Sequence, residues 1–152
     1  MRSPKPGDLI EMPTARGLAY AQITHKVPLF GTLIRVVEPI VPERPIDMEA
    51  IAKSRERFVT FFPVAAALNR GIVSLAGFAS IPPHAQKFPL LRQRGKVLAN
   101  GEVADWWLFD GSRRWHIGRL APDQARLSIA EVVNDTMLRA RIDSDWKPEQ
   151  VA

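Results

Sequence analysis

The chain has 152 residues, 46% of them hydrophobic and 24% charged, with a formal net charge of +5. That size and balance suit one domain, 1–152, with a real core, and exclude a disordered chain. The absence of cysteine excludes disulfides, thiolate metal sites and cysteine nucleophiles together, and fits a reducing, cytoplasmic setting.

Asp8 to Pro13 reads as a short strand ended by its proline. Thr14 to Gly17 supplies a turn, and Leu18 to Thr24 returns as a second strand. Pro28 and Gly31 break the pattern before a third strand, Thr32 to Val37, rich in branched residues. Residues 38–46 hold three prolines, at 39, 42 and 45, and predict an extended connection. Asp47 can cap a helix in which Met48, Ile51 and Ala52 share one face.

Arg57 to Pro63 is apolar on both faces, which predicts a central strand, and Gly71 to Phe78 predicts another. Ser80 to Lys87 contains two adjacent prolines and predicts a loop. Phe88 to Arg92 predicts a short edge strand, followed by an exposed basic turn to Lys96. The run Trp106 to Gly118 carries Asp110-Gly111 between apolar alternations, a strong hairpin signal of type I′. In its returning strand Trp115 and Ile117 share one face, with Arg114 and His116 on the other.

Ser128 and Glu131 are spaced as a capping box, which predicts a helix from Ile129 to about Asn134. Thr136 to Ile142 then alternates with period two and predicts a strand. From Asp143 onward a polar tail is anchored by Trp146. The whole predicts an α+β fold: a strongly bent, mainly antiparallel sheet of seven or eight short strands, with barrel-like closure one option, and two short helices.

Charge is unevenly placed. From Arg57 through Gly101 there is no carboxylate side chain, while Arg57, Arg70, Lys87, Arg92, Arg94 and Lys96 are present. A one-signed segment favours an acidic partner, either a protein face or a phosphate backbone. No apolar run approaches the roughly 18 residues needed to span a bilayer. The opening residues have no apolar stretch behind their charges, so neither a secretion signal nor a membrane partner is expected.

No local motif for catalysis or metal binding occurs. His25, His84 and His116 are scattered and lack ligand neighbours at a recognised spacing. His116 is the favoured one of the three, because it shares a strand face with Arg114 beside the tryptophans. Asp105 and Asp110 could form a carboxylate pair, but the turn already accounts for Asp110. No catalytic residue, metal or cofactor is therefore assigned. The candidate partner-binding residues are Lys87, Arg92, Arg94, Lys96, Arg113, Arg114, His116 and Trp106, since arginine and tryptophan are enriched at protein hot spots.

Pro6-Gly-Asp-Leu-Ile-Glu-Met-Pro13, followed by Gly17-Leu-Ala-Tyr-Ala-Gln-Ile23, resembles the start of immunity protein family 26 of bacterial polymorphic toxin systems. The likeness covers about residues 6–37. It implies a non-enzymatic α+β protein that neutralises a cognate toxin by binding it, with no catalytic residues to carry over. Immunity proteins against nucleases are often acidic, whereas this chain is basic. The toxin face would then be acidic, or the toxin would not be a nuclease. Two alternatives stand beside this reading: a nucleic-acid-binding barrel using the basic segment and the tryptophan hairpin, and a small enzyme whose site is dispersed along the chain.

Overall fold

Three long strands follow one another through tight turns and set the architecture. In the computed structural model, which describes residues 3–151, they are β1 (Asp8–Thr14), β2 (Gly17–Val27) and β3 (Gly31–Val41). The β1–β2 turn closes with Thr14 Oγ1 donating to Gly17 O (2.7 Å). Gly17 has φ +129°, and a Cβ there would meet Val41 O at 2.9 Å, so only glycine fits.

Helix α1 (Met48–Ala52) starts where expected, with Asp47 accepting from Glu49 N and Ala50 N. Then come β4 (Glu56–Phe61), α2 (Val64–Asn69), β5 (Ser74–Phe78), α3 (Pro83–Gln86), β6 (Leu91–Arg94), β7 (Trp106–Phe109), β8 (Arg114–Gly118) and α4 (Asp135–Asp143). The strands form two antiparallel sheets, ordered β4-β3-β2-β1-β5 and β6-β7-β8. The α+β class holds, with eight strands and mainly antiparallel pairing; the barrel is not closed, and the α-helices number four among the described residues rather than two.

The run from Ser128 to Val133 joins the sheets. Phe61 N donates to Glu131 O (3.1 Å) and Val133 N to Phe61 O (2.9 Å). Arg92 N donates to Ser128 O (3.0 Å) and Ala130 N to Arg92 O (2.8 Å). The run is thus extended and pairs with β4 and β6, both in parallel. No helix forms from Ile129 to Asn134. The supposed capping pair is used elsewhere: Ser128 Oγ accepts from Val59 N, and Glu131 binds Arg94 and Arg141. Tertiary pairing overrides the local signal.

This bridge also corrects the place of β4. It ends the five-strand order instead of lying centrally. Its outer edge is covered, so Phe58, Phe61 and Phe62 are buried all the same. Where the sheets meet, Leu33, Phe61, Leu91, Phe109 and Ala130 form one apolar cluster. Phe30 stacks on Phe61 at 4.7 Å between ring centroids.

Three further expectations shift. β3 runs on through Pro39 to Val41, because the pairing with β4 ends at Val37 and a register irregularity lies opposite the proline. Residues 64–69 form α2 on Val64, Ala67 and Leu68, and Gly71 (φ +71°) follows it, so β5 begins only at Ser74. Thr136 to Ile142 lies in α4: Leu138 and Ile142 are i and i+4 and both are buried, while Ala140 of the supposed apolar face is exposed. Asn134 caps this helix by accepting from Met137 N (2.8 Å). The tail beyond it is anchored as expected, with Trp146 edge-on to Phe58 at 5.3 Å and the Arg141 guanidinium over the Trp146 ring at 4.0 Å.

Candidate functional site

The basic segment does not form one patch, because the acidic C-terminal part folds back on it. Arg57 pairs with Asp145 (2.6 Å), and Arg94 pairs with Glu131. Arg92 is fully buried; its guanidinium donates to Leu127 O, Pro148 O and Val151 O and lies over the Trp106 ring at 4.6 Å. Trp106 is itself buried. Arg92 and Trp106 are therefore structural and cannot meet a partner, contrary to the sequence expectation. The expected basic turn from Arg92 to Lys96 is also absent: Arg92 to Arg94 belong to β6, and Lys96 starts a second hairpin closed by Ala104 N to Lys96 O (2.7 Å).

The remaining expected residues fall in two places. Lys96, Arg113, Arg114 and His116 lie on or beside the second sheet, and Lys87 lies on a cleft between the sheets. The β7–β8 hairpin forms, but its loop has four residues, 110–113, and Asp110 is not left-handed, so the turn is not type I′. Asp110 Oδ1 instead accepts from Ser112 N (3.0 Å) and Arg113 N (2.8 Å). These bonds hold its carboxyl below the usual carboxylate range.

Alternation places Arg114 and His116 beside Trp107, as the strand period requires. The Arg114 guanidinium sits 4.7 Å over the Trp107 ring, and the His116 ring meets the same indole edge-on at 5.0 Å. Asp105 accepts from Lys96 N (2.7 Å) and pairs with His116 Nε2 (2.7 Å), which together lower its pKa. An arginine, an indole, an imidazole and a carboxylate thus form one exposed tier. Trp115, on the opposite face, is 37% exposed.

Next to this tier is a groove of about 730 Å³ lined by Val27, Leu29, Phe30, Gln93, Phe109 and Arg114. Two of these residues are unusual. Leu29, at the β2–β3 tip, is fully exposed and has φ +77°, a conformation that costs a leucine about 1–2 kcal/mol. Gln93 Oε1 is buried and has no hydrogen-bond partner. Sequence reasoning missed both, although the Pro28-Leu-Phe-Gly31 tip carries its apolar pair in plain view.

The cleft between the sheets, about 480 Å³, was not foreseen at all. At one end Glu56 Oε1 accepts from Arg35 Nε (2.5 Å) and lies 2.7 Å from His84 Nε2. Burial alone would raise the pKa of Glu56, but these two hydrogen bonds outweigh it and hold the carboxyl below its ordinary value. Arg35 is fully buried and also donates to Gln22 Oε1, Ala52 O and Ser54 O. Of the three histidines, it is therefore His84 rather than His116 that faces a cavity, while His25 Nε2 bonds the Gln86 carbonyl. Among the described residues no group of three or more His, Cys, Asp or Glu side chains could hold a metal ion. Among the described residues no helix is long and apolar enough to cross a membrane.

Comparison with family models, with curated proteins and with solved structures gives no match.

Proposed function

We propose that this chain is a protein-binding module that docks an acidic protein face, in the manner of an immunity protein neutralising a cognate bacterial toxin. The observation that carries this reading is Leu29: a fully exposed leucine held in a left-handed conformation at the mouth of an apolar groove. Arg114 lines the same groove and lies over Trp107, and arginine and tryptophan are the residue types in which hot spots are enriched. Arg114 on the groove, with Arg113 next to it in sequence and Lys96 beside the second sheet, supplies charge complementary to an acidic partner. The resemblance of residues 6–37 to immunity protein family 26 supports the same reading.

The test is calorimetry with the protein encoded by the neighbouring reading frame. The expected result is a 1:1 complex that weakens with salt, and that Arg114→Ala weakens about 30-fold or more, the loss of a hot spot. Absence of binding, or binding that Arg114→Ala leaves unchanged, overturns the reading. Tight binding of single-stranded DNA at low salt would replace it with the nucleic-acid alternative.

Leu29→Gly separates stability from binding. Relief of the left-handed leucine exceeds the entropy that glycine costs the unfolded state, so the variant gains about 0.5–1 kcal/mol. It loses the anchor, so partner affinity falls. Urea unfolding and calorimetry on the same variant check both signs; lower stability sinks the claim of strain.

A further inference from the structure

The docking groove leaves the cleft between the sheets unexplained. Its lining includes the apolar Phe58, Val59, Leu91 and Leu127 and the prolines Pro89 and Pro148. Three cations line it, Lys87, Arg126 and Lys147, and among the described residues none of their side chains has a hydrogen-bond or ion-pair partner. They come from three separate parts of the chain: the segment after α3, the segment before Ser128, and the C-terminal segment. All three are exposed, so water screens their mutual repulsion, but together they leave a positive field at the cavity that favours an anion.

The other charges in the wall do not supply that anion. Glu56 is neutralised on its own side by Arg35, which burial has fixed in place. Arg57 is neutralised by Asp145. Glu149 is the remaining carboxylate of the lining. Three cations against this one leave two positive charges, which is the charge that a phosphate monoester balances near neutral pH. A carboxylate ligand would balance only one. The volume, about 480 Å³, falls within the range of small-molecule sites.

We infer that the cleft between the two sheets binds a phosphate monoester with an apolar or flat body, of mononucleotide size, its phosphate held by Lys87, Arg126 and Lys147. The body lies on Phe58, Leu91 and Leu127. Thr24 and Ser128 border the same cavity and offer hydroxyls for orientation. His84, held by Glu56, closes the end of the cavity and keeps its second ring nitrogen for the ligand.

The full chain is titrated calorimetrically with 5′-AMP, 5′-UMP and phenyl phosphate, with adenosine and inorganic phosphate as comparisons. At least one ester is expected to saturate a single site. Its unphosphorylated counterpart and inorganic phosphate should each bind at least about tenfold more weakly, because each lacks one half of the recognition. Each of Lys87→Ala, Arg126→Ala and Lys147→Ala should weaken the ester about tenfold, the worth of one charge-assisted hydrogen bond. Glu149→Gln should tighten it. The three alanine substitutions fall on exposed side chains, so their melting temperatures should stay close to that of the wild type. Arg114→Ala, in the docking tier, should leave ester binding unchanged, which keeps this test apart from that of the protein partner. The inference is overturned if no ester saturates at millimolar concentration, if inorganic phosphate binds as tightly as the esters, or if the three alanine variants bind as well as the wild type.

Discussion

Arg35→Met is expected to lose about 3–5 kcal/mol of stability, the cost of removing one partner from a buried charge pair. In a chain of this size that is a fall of about 10 °C in melting temperature. The guanidinium is fully buried and spends its donors on four acceptors: Glu56 Oε1, Gln22 Oε1, Ala52 O and Ser54 O. Two of these are carbonyls at and just beyond the end of α1, which have no partner within that short helix. Methionine fills the volume but satisfies none of them. Arg35→Lys keeps the charge, yet one ammonium cannot reproduce the planar fork, so it should recover only part of the loss. Urea unfolding followed by circular dichroism measures both variants. A methionine variant within about 1 kcal/mol of wild type would show that the cluster is not what holds β3 to α1.

The same substitution changes the response to acid. Glu56 has a folded pKa below its unfolded value. Its contribution is therefore fully present above about pH 4.3, the unfolded value, and is lost as pH falls through the folded one. Without Arg35 the folded value rises, so that contribution shrinks and acid unfolding should begin at a higher pH. An unchanged acid midpoint in Arg35→Met would assign the depression of Glu56 to His84 and its own backbone amide.

These residues also show what could be read from the chain and what could not. The β1–β2 and β7–β8 hairpins and the capped start of α1 were legible because their determinants lie within a few residues of one another: Thr14 with Gly17, Asp110 with Arg113, Asp47 with Glu49. The error at Ser128 to Asn134 has the opposite cause. Its capping spacing is a local signal, but the segment is needed to close the open edges of β4 and β6. Helix α2 was legible and was passed over, since Val64, Ala67 and Leu68 have helical spacing and Gly71 marks the end. In Thr136 to Ile142 a buried pair at i and i+4 also fits alternation, and it is the exposure of Ala140 between them that separates the two readings.

The cleft had no local signature. Arg35, Glu56 and His84 are 21 and 28 residues apart, in β3, at the start of β4 and in α3. Along β3, Arg35 looks like one ordinary polar residue among branched ones. The carboxylate-free stretch from Arg57 to Gly101 was visible, but its neutralisation by Asp145 and Glu131 depends on how the C-terminal segment returns. Charge pattern alone therefore overstated the basic surface by including Arg92 and Arg94.

Arg92→Ala is expected to cost about 3 kcal/mol and to loosen the C-terminal segment before the rest of the fold. The side chain is fully buried, and burial holds its pKa below the ordinary arginine value. Its named acceptors are three carbonyls: Leu127, Pro148 and Val151, at 3.0, 2.6 and 3.0 Å. Two of them belong to the last turn of the described chain, so one guanidinium ties that turn to β6. Its flat face also covers Trp106 at 4.6 Å. Alanine leaves the Leu127 and Val151 carbonyls unpaired, takes one of two donors from Pro148 O, which keeps Val151 N, and opens a void beneath the indole; these losses add. The amides of Gln150 and Val151, now bonded within that turn, should exchange with solvent much faster while those of β2 and β3 keep their protection. Because Lys147 and Pro148 also wall the cleft, the loosened segment should weaken ester binding there as well. If exchange in 147–151 matches wild type while the melting temperature falls, Arg92 supports Trp106 and the second sheet, and the tie to the C-terminal turn carries little of the energy.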